Sequence, residues 1–443
     1  MSQNQEKIID FLNGFSLENL PSDVVNEAKR AVLDTLGCMI AGIDTPLGKN
    51  LRELAKRYMD KQGVKVLGLK PTVTTIMAAM CNGYMANAHD ADDGHRRSRL
   101  HAGGIIIPTA LAAGEENRST GRAFLESVII GFELGHRAGM ATTAMDTYYG
   151  SAMGGTFGAA AAAGWLMGLS PDLIVNAMGI AEMHAPNCML MGWIKARKPP
   201  MVKEGMGWSA ASGLMSAYMS QSGITGALTI YDGKEEISEI DKMGREWETQ
   251  RRYYKPHPGC RWTQAPLQTL QALMSEHDVC DKDAKEIKVR IMTNASNLDN
   301  PAPVNMEEAQ YSIPFVLAAA LVDGEFGPEQ MRMEKLTNST ILEVAKKVKV
   351  EAEPEFDKAY PRQIRCEVLF LTEKGEIFVA TAKKIKGDDD FPLTDEEIKE
   401  KFVWLSRNRL NQNLARAVIN DVWALESRTG IGDFMASIHA LTT

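Results

Sequence analysis

Apolar residues recur at intervals of three and four through most of the first 235 residues, which is the period of helices with one buried face. One such stretch begins at Ser22, a helix-capping residue, and continues to Cys38. Residues 74–89 are mostly small and apolar, so we expect a buried helix that its neighbours approach closely. Residues 154–168, which include a run of alanines, have the same character and favour tight helix packing over a membrane-type dimer motif.

The pattern changes in the last third of the chain, where apolar and polar residues alternate with the period of β-strands. The segment 372–375 has the composition of a hairpin turn and joins two of the predicted strands. Between the first strand and this hairpin, residues 312–321 are predicted to form a buried helix. The predicted strands are residues 286–292, 363–371 and 376–382.

Helical pattern returns at Thr394, which opens a capping-box sequence, and continues to the C-terminus. We expect this last part to pack against the first helical part. The sequence therefore predicts a mainly α fold, with a large all-helical domain of residues 1–265 and 395–443 and a smaller α+β domain of residues 266–394.

Charge and cysteine usage narrow the class of partner and the compartment. The chain has 443 residues and a net charge of −8, which argues against nucleic acid or a membrane surface and favours a small molecule as the partner. Its six cysteines are far apart and form no C-x-x-C pair, so neither a disulfide framework nor a zinc site is predicted. The N-terminus shows no signal-peptide pattern and no apolar run is long enough to span a membrane. We therefore expect a cytoplasmic protein.

Residues 88–108 are the densest group of titratable side chains and lie between two apolar helical patterns. Such a cluster among buried helices costs free energy unless it takes part in chemistry or forms a network of salt bridges, and both interpretations stay open at this point. The cluster contains His89, His95 and His101, three aspartates from Asp90 to Asp93, and Arg96, Arg97 and Arg99.

The spacing within the cluster predicts a local geometry. A helix over residues 74–93 that ends at Gly94 would place His89 and Asp93 on one face. If Pro108 begins the next helix, the backbone N–H groups of Gly103 and its neighbour are available to hold a carboxylate. A divalent metal is the weaker alternative, since we find no second acidic or histidine-rich motif elsewhere in the sequence.

Three further segments contain candidate chemistry. Lys203 precedes a glycine-rich helix start, where it is either a surface residue or a group that contacts a carboxylate or moves a proton. A proline-stiffened loop at the predicted domain junction presents Lys255, Cys260 and Arg261, and domain junctions are favoured places for pockets. Tyr149 precedes the alanine-rich helix, although most tyrosines at such places are packing residues.

Taken together, these segments resemble the MmgE/PrpD family, which includes 2-methylcitrate dehydratase, cis-aconitate decarboxylase and iminodisuccinate epimerase. The resemblance extends over nearly the whole chain. It rests on Asp90-x-Asp-Asp-Gly-His with the later His101 and Gly103, Val-Lys203-Glu-Gly-x-Gly-Trp with Ser220 to Gly226, Lys255-Pro-x-Pro-x-Cys-Arg, and Tyr311-Ser-Ile-Pro-Phe315.

The resemblance implies a large helical domain with a smaller α+β domain, a homodimer, and no metal or organic cofactor. It also implies one polar pocket for a small di- or tricarboxylate, lined by Asp90, His101, Lys203 and Lys255. Compared with the family pattern, this chain has Tyr149 in place of a histidine, and Cys260 or Arg261 in place of another. These departures weigh against decarboxylation and weaken a strict 2-methylcitrate specificity.

The expected chemistry is removal of a proton next to a carboxylate, without a cofactor. The predicted catalytic residues are His101 as acid/base, Asp90 as its orienting partner, Tyr149 as a second acid/base, and Lys203. The predicted substrate-binding residues are Arg96, Arg97, Gly103, Lys255, Cys260 and Arg261. Asp92 and Asp93 are expected to pair with Arg96, Arg97 or Arg99 rather than to act as catalysts. A hydro-lyase of the 2-methylcitrate dehydratase type is favoured over a two-base epimerase of an iminodisuccinate-like dicarboxylate, and a non-catalytic carboxylate-binding protein is the third alternative.

Overall fold

The computed structural model describes residues 2–143, 152–188, 190–231, 238–382 and 384–442, and most of these residues are helical. This confirms the predicted fold class. The helices are α1 (Gln3–Gly14), α2 (Ser22–Gly42), α3 (Pro46–Ala55), α4 (Thr75–Ala86), α5 (Gly103–Glu116), α6 (Gly121–Thr143), α7 (Ala152–Leu166), α8 (Pro171–His184), α9 (Leu190–Lys195), α10 (Met206–Gln221), α11 (Ser238–Asp241), α12 (Arg261–His277), α13 (Met306–Gln310), α14 (Ile313–Asp323), α15 (Met333–Leu336), α16 (Ser339–Lys346), α17 (Pro354–Asp357), α18 (Asp395–Ser406), α19 (Gln412–Trp423) and α20 (Ile431–Thr442). The strands are β1 (Met59–Val66), β2 (Leu69–Val73), β3 (Gly94–His95), β4 (Arg252–Tyr253), β5 (Ala284–Ile291), β6 (Val348–Ala352), β7 (Cys366–Thr372) and β8 (Ile377–Ala382).

The first apolar core is built by helices whose small residues allow very close approach. Helix α7 packs against α6 and α10, and α10 in turn packs against α4. A Cβ atom added at Gly213 of α10 would lie 2.4 Å from the Cβ of Ala159 in α7, so the two helices touch backbone to backbone. This packing confirms the prediction that residues 74–89 and 154–168 belong to buried, closely approached helices.

The second apolar core surrounds a four-stranded sheet with the order β6-β5-β7-β8. Strands β5 and β6 are parallel, whereas β7 pairs antiparallel with both β5 and β8. The buried helix α14 lies against this core, as the apolar run from Ile313 predicted. The three predicted strands are present, and residues 373–376 form the turn of the predicted hairpin.

The C-terminal helices return to the first core. Thr394 caps α18 through a capping box with Glu397, and α18 packs against α2. Most buried apolar residues from Leu393 to Ile438 belong to the first core, whereas those from Trp262 to Ile385 belong to the second, together with Leu190 and Ile194 of α9. The boundaries 1–265 with 395–443 and 266–394 stay a prediction, which this division of apolar contacts supports.

Three local expectations are wrong. Residues 59–73 are not helical but form an antiparallel hairpin, in which Gly68 adopts a φ of 73° at the turn. Helix α4 ends at Ala86 rather than at residue 93, because Asn87 leaves the helix and its side-chain amide donates to Asp92. Helix α5 begins at Gly103, so Pro108 lies inside it rather than at its start.

Candidate active site

The turn between α4 and α5 places the acidic cluster against the proline-stiffened loop. Gly94 and His95 form the short strand β3, which pairs antiparallel with β4 just ahead of Lys255. The backbone of Asp90 has a φ of 54°, an uncommon conformation for a residue with a side chain, and such residues concentrate at functional sites. Two distant parts of the sequence are thereby joined in one buried site.

A buried ion pair lies at the centre of this site. The Nζ atom of Lys255 is 2.5 Å from Oδ1 of Asp90 and 3.6 Å from Oδ1 of Asp92. Burial opposes both charges, but their mutual attraction prevails, so the pKa of Lys255 is raised and that of Asp90 is lowered. Lys255 therefore contacts these carboxylates directly, in addition to any contact it makes with a substrate.

Lys203 is a second buried amine in this region. It follows Pro200 in a turn, has a φ of 42°, and precedes Gly205, whose φ of 80° begins α10. Its Nζ atom donates to Oε1 of Gln310 at 2.7 Å and to the carbonyl oxygen of Asn87. Burial lowers the pKa of Lys203, although the nearby Asp90 and Asp92 counteract part of that effect. The amine is thus suited to give up or take up a proton.

His101 contacts a different aspartate from the one predicted. Its Nδ1 atom lies 3.6 Å from Oδ2 of Asp92, an ion-pair distance that is too long for a hydrogen bond. Asp92 was expected to pair with arginines; instead it lies between His101, Lys255 and the amide of Asn87. Asp90 lies close enough to interact electrostatically with His101, but the structure points to Asp92 as its nearest carboxylate partner.

Two other expectations about this cluster are corrected by hydrogen bonds. The backbone N–H of Gly103 donates to Oδ1 of Asp93 at 2.9 Å, so in this structure it is occupied rather than open to a substrate carboxylate. Asp93 was expected to pair with Arg96, Arg97 or Arg99. It pairs instead with the buried Arg252, at 3.1 Å.

The arginines of the cluster have different surroundings. Arg96 forms ion pairs with Asp388, Asp389 and Asp390 of the acidic loop. Arg261 donates to both oxygens of the same Asp388, at 2.7 and 2.8 Å. Arg97 instead pairs with Glu239 and Glu248 and is 41% exposed, away from the cavity described next.

A cavity of about 60 Å³ joins these groups. Of the predicted residues, Asp90, Arg96, His101, Cys260 and Arg261 line it. Lys255 is in direct contact with the lining Asp90, and Lys203 is close enough to influence the charge of Asp90. Arg97, Gly103, Lys203 and Lys255 are not among its lining residues, and Tyr149 lies outside the described residues.

The cavity also contains residues that the sequence interpretation missed. Tyr311 lines it and is close enough to interact with Asp90, whereas Phe315, the residue noted in the same motif, is fully buried in the second core. Arg99, with a φ of 61°, and the buried Glu204 also line the cavity. The motif Tyr-Ser-Ile-Pro-Phe pointed to this segment, but the sequence does not show which of its two aromatic residues reaches the cavity. The start of α14 at Ile313 places Phe315 inside the helix and Tyr311 before it, at the cavity wall.

The thiol of Cys260 is part of the cavity wall in its neutral form. Burial raises the pKa of Cys260 to about 12, and the charge of Asp90 adds to this effect. A neutral thiol supplies shape and a weak donor rather than a nucleophile. This agrees with a binding role for Cys260, as the sequence predicted, and not with covalent catalysis.

A histidine network supports the wall of the cavity. The Nδ1 atom of His95 accepts the backbone N–H of Ser98 at 3.0 Å, so its Nε2 donates to Glu248 at 2.9 Å. The hydroxyl of Ser98 also lies 3.0 Å from Nδ1 of His136. Burial lowers the pKa of both histidines, which keeps them neutral, so this network positions residues 94–99 rather than exchanging protons.

Asp90, Asp92 and His101 have donor atoms within 4.8 Å of one another, which is the only such group among the described residues with metal-ligand spacing. Lys255 already supplies a positive charge at this point, in contact with both carboxylates. A divalent cation would have to displace that ammonium or lie beside it at a high electrostatic cost. The residues therefore fit an internal ion pair better than a metal centre.

Two models of known protein domains together match most of the chain. The model of the MmgE/PrpD N-terminal domain matches residues 6–250 and that of the MmgE/PrpD C-terminal domain matches residues 257–425. The chain belongs to the MmgE/PrpD family. The family resemblance drawn from the sequence motifs is thereby confirmed.

The curated relatives cover almost the whole chain at low identity. The chain is 26% identical to the cis-aconitate decarboxylase-like protein oryM of Aspergillus oryzae, over 95% of this chain and 94% of the relative. It is 24% identical to the cis-aconitate decarboxylase of Aspergillus terreus, over 98% and 95%, and to that of Homo sapiens, over 95% and 91%. The prediction of a lyase-type enzyme of this family is confirmed, with a carboxylate as the class of substrate.

No helix among the described residues is long and apolar enough to cross a membrane.

Proposed function

We propose that this enzyme removes a proton next to a carboxylate of a small di- or tricarboxylate and then eliminates a β-hydroxyl group, as a hydro-lyase without a cofactor. One observation carries the proposal: a single cavity brings together an imidazole backed by a carboxylate, His101 with Asp92, and guanidinium groups such as Arg99 and Arg261. An imidazole is a base of suitable strength near neutral pH, and arginines bind carboxylates.

The proposed elimination balances as follows. His101 takes the proton from the carbon, and the electron pair of the broken C–H bond forms the C=C bond as the neighbouring C–O bond breaks. The leaving hydroxide becomes water with a proton from Lys203, whose ammonium is more acidic than that of an ordinary lysine because burial lowers its pKa. Asp92, 3.6 Å from Nδ1, stabilises the positive charge that His101 gains.

The remaining predicted residues have supporting roles in this proposal. Asp90 is held by Lys255 and lies close to Tyr311, so it forms a fixed negative wall of the cavity rather than a base. The charges of Arg96 and Arg261 are shared with Asp388, which fixes their guanidinium groups in place for a substrate carboxylate. Tyr149 stays the predicted second acid/base, and the homodimer stays a prediction from the family resemblance.

Epimerisation of an imino-dicarboxylate is the second candidate, and one residue favours it. Glu204 places a buried carboxylate on the cavity wall, where it would repel a substrate carboxylate but would attract the N–H group of an imino-dicarboxylate. In this reaction the carbanion is protonated again on its opposite face, and no bond to oxygen is lost.

The test is incubation of the purified protein in D₂O with methylcitrate, citrate, cis-aconitate and iminodisuccinate, followed by NMR. Under our proposal, deuterium enters next to a carboxylate and ultraviolet absorbance shows a new conjugated double bond. Exchange without a new double bond supports the epimerase, and release of CO₂ supports the decarboxylation by which the relatives are named. Binding of these compounds without exchange or release indicates a carboxylate-binding protein.

Matched histidine variants make this test specific for the site. His101→Gln is expected to lose at least about 100-fold in the exchange rate, the usual contribution of a general base. His277→Gln serves as the control, because His277 is exposed on α12 and lies outside the cavity. A His101→Gln variant with full activity would show that the base has been assigned wrongly.

A further inference from the structure

A second and larger groove, of about 500 Å³, adjoins the same turn of the chain. Adjacent residues line the two spaces: Asp90 lines the active-site cavity, and His89 lines the groove. We call it the rear groove and define it by the side chains that matter for its chemistry. These are Asp44, His89, Met201, Glu307, Arg332 and Trp404.

Two side chains of the rear groove are buried and lack hydrogen-bond partners. His89 is 6% exposed and Glu307 is 4% exposed. Nδ1 of His89 and Oε1 of Glu307 have no hydrogen-bond partner among the described residues. Buried polar atoms are nearly always paired, and leaving one unpaired costs free energy, so these two atoms mark places where a ligand would supply the missing partner.

The charges of the rear groove indicate what that ligand carries. Four carboxylate and four cationic side chains line it, so its formal charge is balanced. Burial, with the charges of Lys203 and Arg332 adding to it, lowers the pKa of His89 to about 3, so this imidazole is neutral. Arg332 itself pairs with Glu329 of the same groove, at 2.9 Å. The surroundings of His89 and Arg332 favour an anionic group, whereas Glu307 favours a cationic one.

We propose that the rear groove binds a small zwitterion, with its carboxylate at Arg332 and His89 and its ammonium group at Glu307. Such a ligand has the opposite charge at each place and leaves the balanced charge of the groove unchanged. The active-site cavity, by contrast, has arginines and an imidazole arranged for carboxylates.

The rear groove is connected to the active site through short structural links. His89 precedes Asp90, and Met201 belongs to the turn that carries Lys203. Glu307 lies one helical turn before Gln310 in α13, and Gln310 accepts a hydrogen bond from Lys203. A ligand that orders these residues therefore also orders the backbone that positions Asp90 and Lys203.

The experiment is isothermal titration of the full chain with L-aspartate as the probe, with succinate and 1,3-diaminopropane as compounds that carry only one sign of charge. Of the three compounds, we expect only L-aspartate to bind in the rear groove. Its binding should weaken at least about tenfold in Arg332→Gln and in Glu307→Gln, since each removes one charge-assisted contact. Glu343→Gln, an exposed change on α16, is the matched control. L-aspartate is also a small dicarboxylate, so Arg261→Gln separates the two spaces: it should weaken binding in the active-site cavity and leave intact the binding that Arg332→Gln and Glu307→Gln weaken.

Hydrogen–deuterium exchange locates the bound probe. L-aspartate should slow amide exchange in peptides that span residues 87–93 and 199–205. The proposal is wrong if L-aspartate does not bind, if succinate binds equally well at the same place, or if Arg332→Gln leaves binding unchanged. It is also wrong if the groove variants turn a dimer into a monomer by sedimentation and abolish no ligand binding, because a second copy of the chain then covers the groove. Arg332, with 55% of its side chain exposed, permits this test without disturbing a buried residue.

Discussion

The variant Lys255→Met removes the only cation that contacts both Asp90 and Asp92 among the described residues, and it keeps roughly the same side-chain length. In the native site, Nζ of Lys255 is 2.5 Å from Asp90 and 3.6 Å from Asp92. Lys255 is 1% exposed and Asp90 is 3% exposed, so water from the cavity that Asp90 lines compensates only a small part of the lost charge. The variant therefore leaves buried carboxylates without their main partner.

Removing one member of a buried ion pair typically costs about 3–5 kcal/mol, because the remaining charge is neither hydrated nor paired. We expect Lys255→Met to lie in this range, since two carboxylates share the lost ammonium. The double variant Asp90→Asn/Lys255→Met should recover about 2 kcal/mol of the summed single losses, because the amide carries no charge. Asp92 keeps the hydrogen bonds from Asn87 in both variants.

The assay is denaturant unfolding of the wild-type protein, both single variants and the double variant, followed by circular dichroism and by tryptophan fluorescence. Lys374→Met, an exposed change in the β-hairpin, is the control and should alter the free energy of unfolding by less than about 0.5 kcal/mol. If Lys255→Met is as stable as the control, or if the single losses simply add in the double variant, the central ion pair does not have the energetic importance argued above.

Three other outcomes follow from the same structure. Burial alone would raise the pKa of Glu248, but the hydrogen bond from His95 and the nearby charges of Arg251 and Arg97 lower it to about 2; the resulting stabilisation is present above pH 4.5 and is lost as the pH falls toward 2. Thermal unfolding across this window should therefore lose much of its pH dependence in Glu248→Gln but not in Glu246→Gln, a change at a half-exposed carboxylate that also pairs with Arg251; equal slopes would contradict this. Gly42→Ala would place a Cβ 2.1 Å from a backbone oxygen of α4 and should cost about 1–3 kcal/mol, whereas Gly14→Ala, with nothing within 4 Å, should not, and equal denaturant midpoints would refute the close contact. Treatment with a chelator should leave turnover unchanged, because Lys255 already contacts the acidic pair, and a loss restored by metal would overturn that assignment.

Local pattern predicted much of the architecture because helix and strand periods record which face of an element is buried. The alternation of β5, β7 and β8 and the small residues of α4 and α7 led to the correct elements. Pattern failed where single side chains decide the backbone. Asn87 ends α4 through its bond to Asp92, and the hairpin of residues 59–73 depends on the turn at Gly68.

The candidate site was predictable to the level of its segments. Short motifs identified the segments around Asp90, His101, Lys203 and Lys255, and the structure brings these four residues together. Hydrogen-bond partners were not predictable in the same way. The occupied N–H of Gly103 and the contact of His101 with Asp92 depend on distances of a few ångströms, which sequence spacing does not encode.

By itself, the sequence determined the mainly helical class, the family and the kinds of side chain available for acid/base chemistry, since these follow from periodicity and residue type. The tertiary structure alone decided which charges neutralise each other. Lys255 is some 165 positions from Asp90 along the chain, and only the pairing of β3 with β4 brings the two together. Burial then fixes the charge of each group, because the free energy of a charge depends on its surroundings in three dimensions. For the same reason, Tyr311 and Glu204 became recognisable as part of the site only once the cavity was formed.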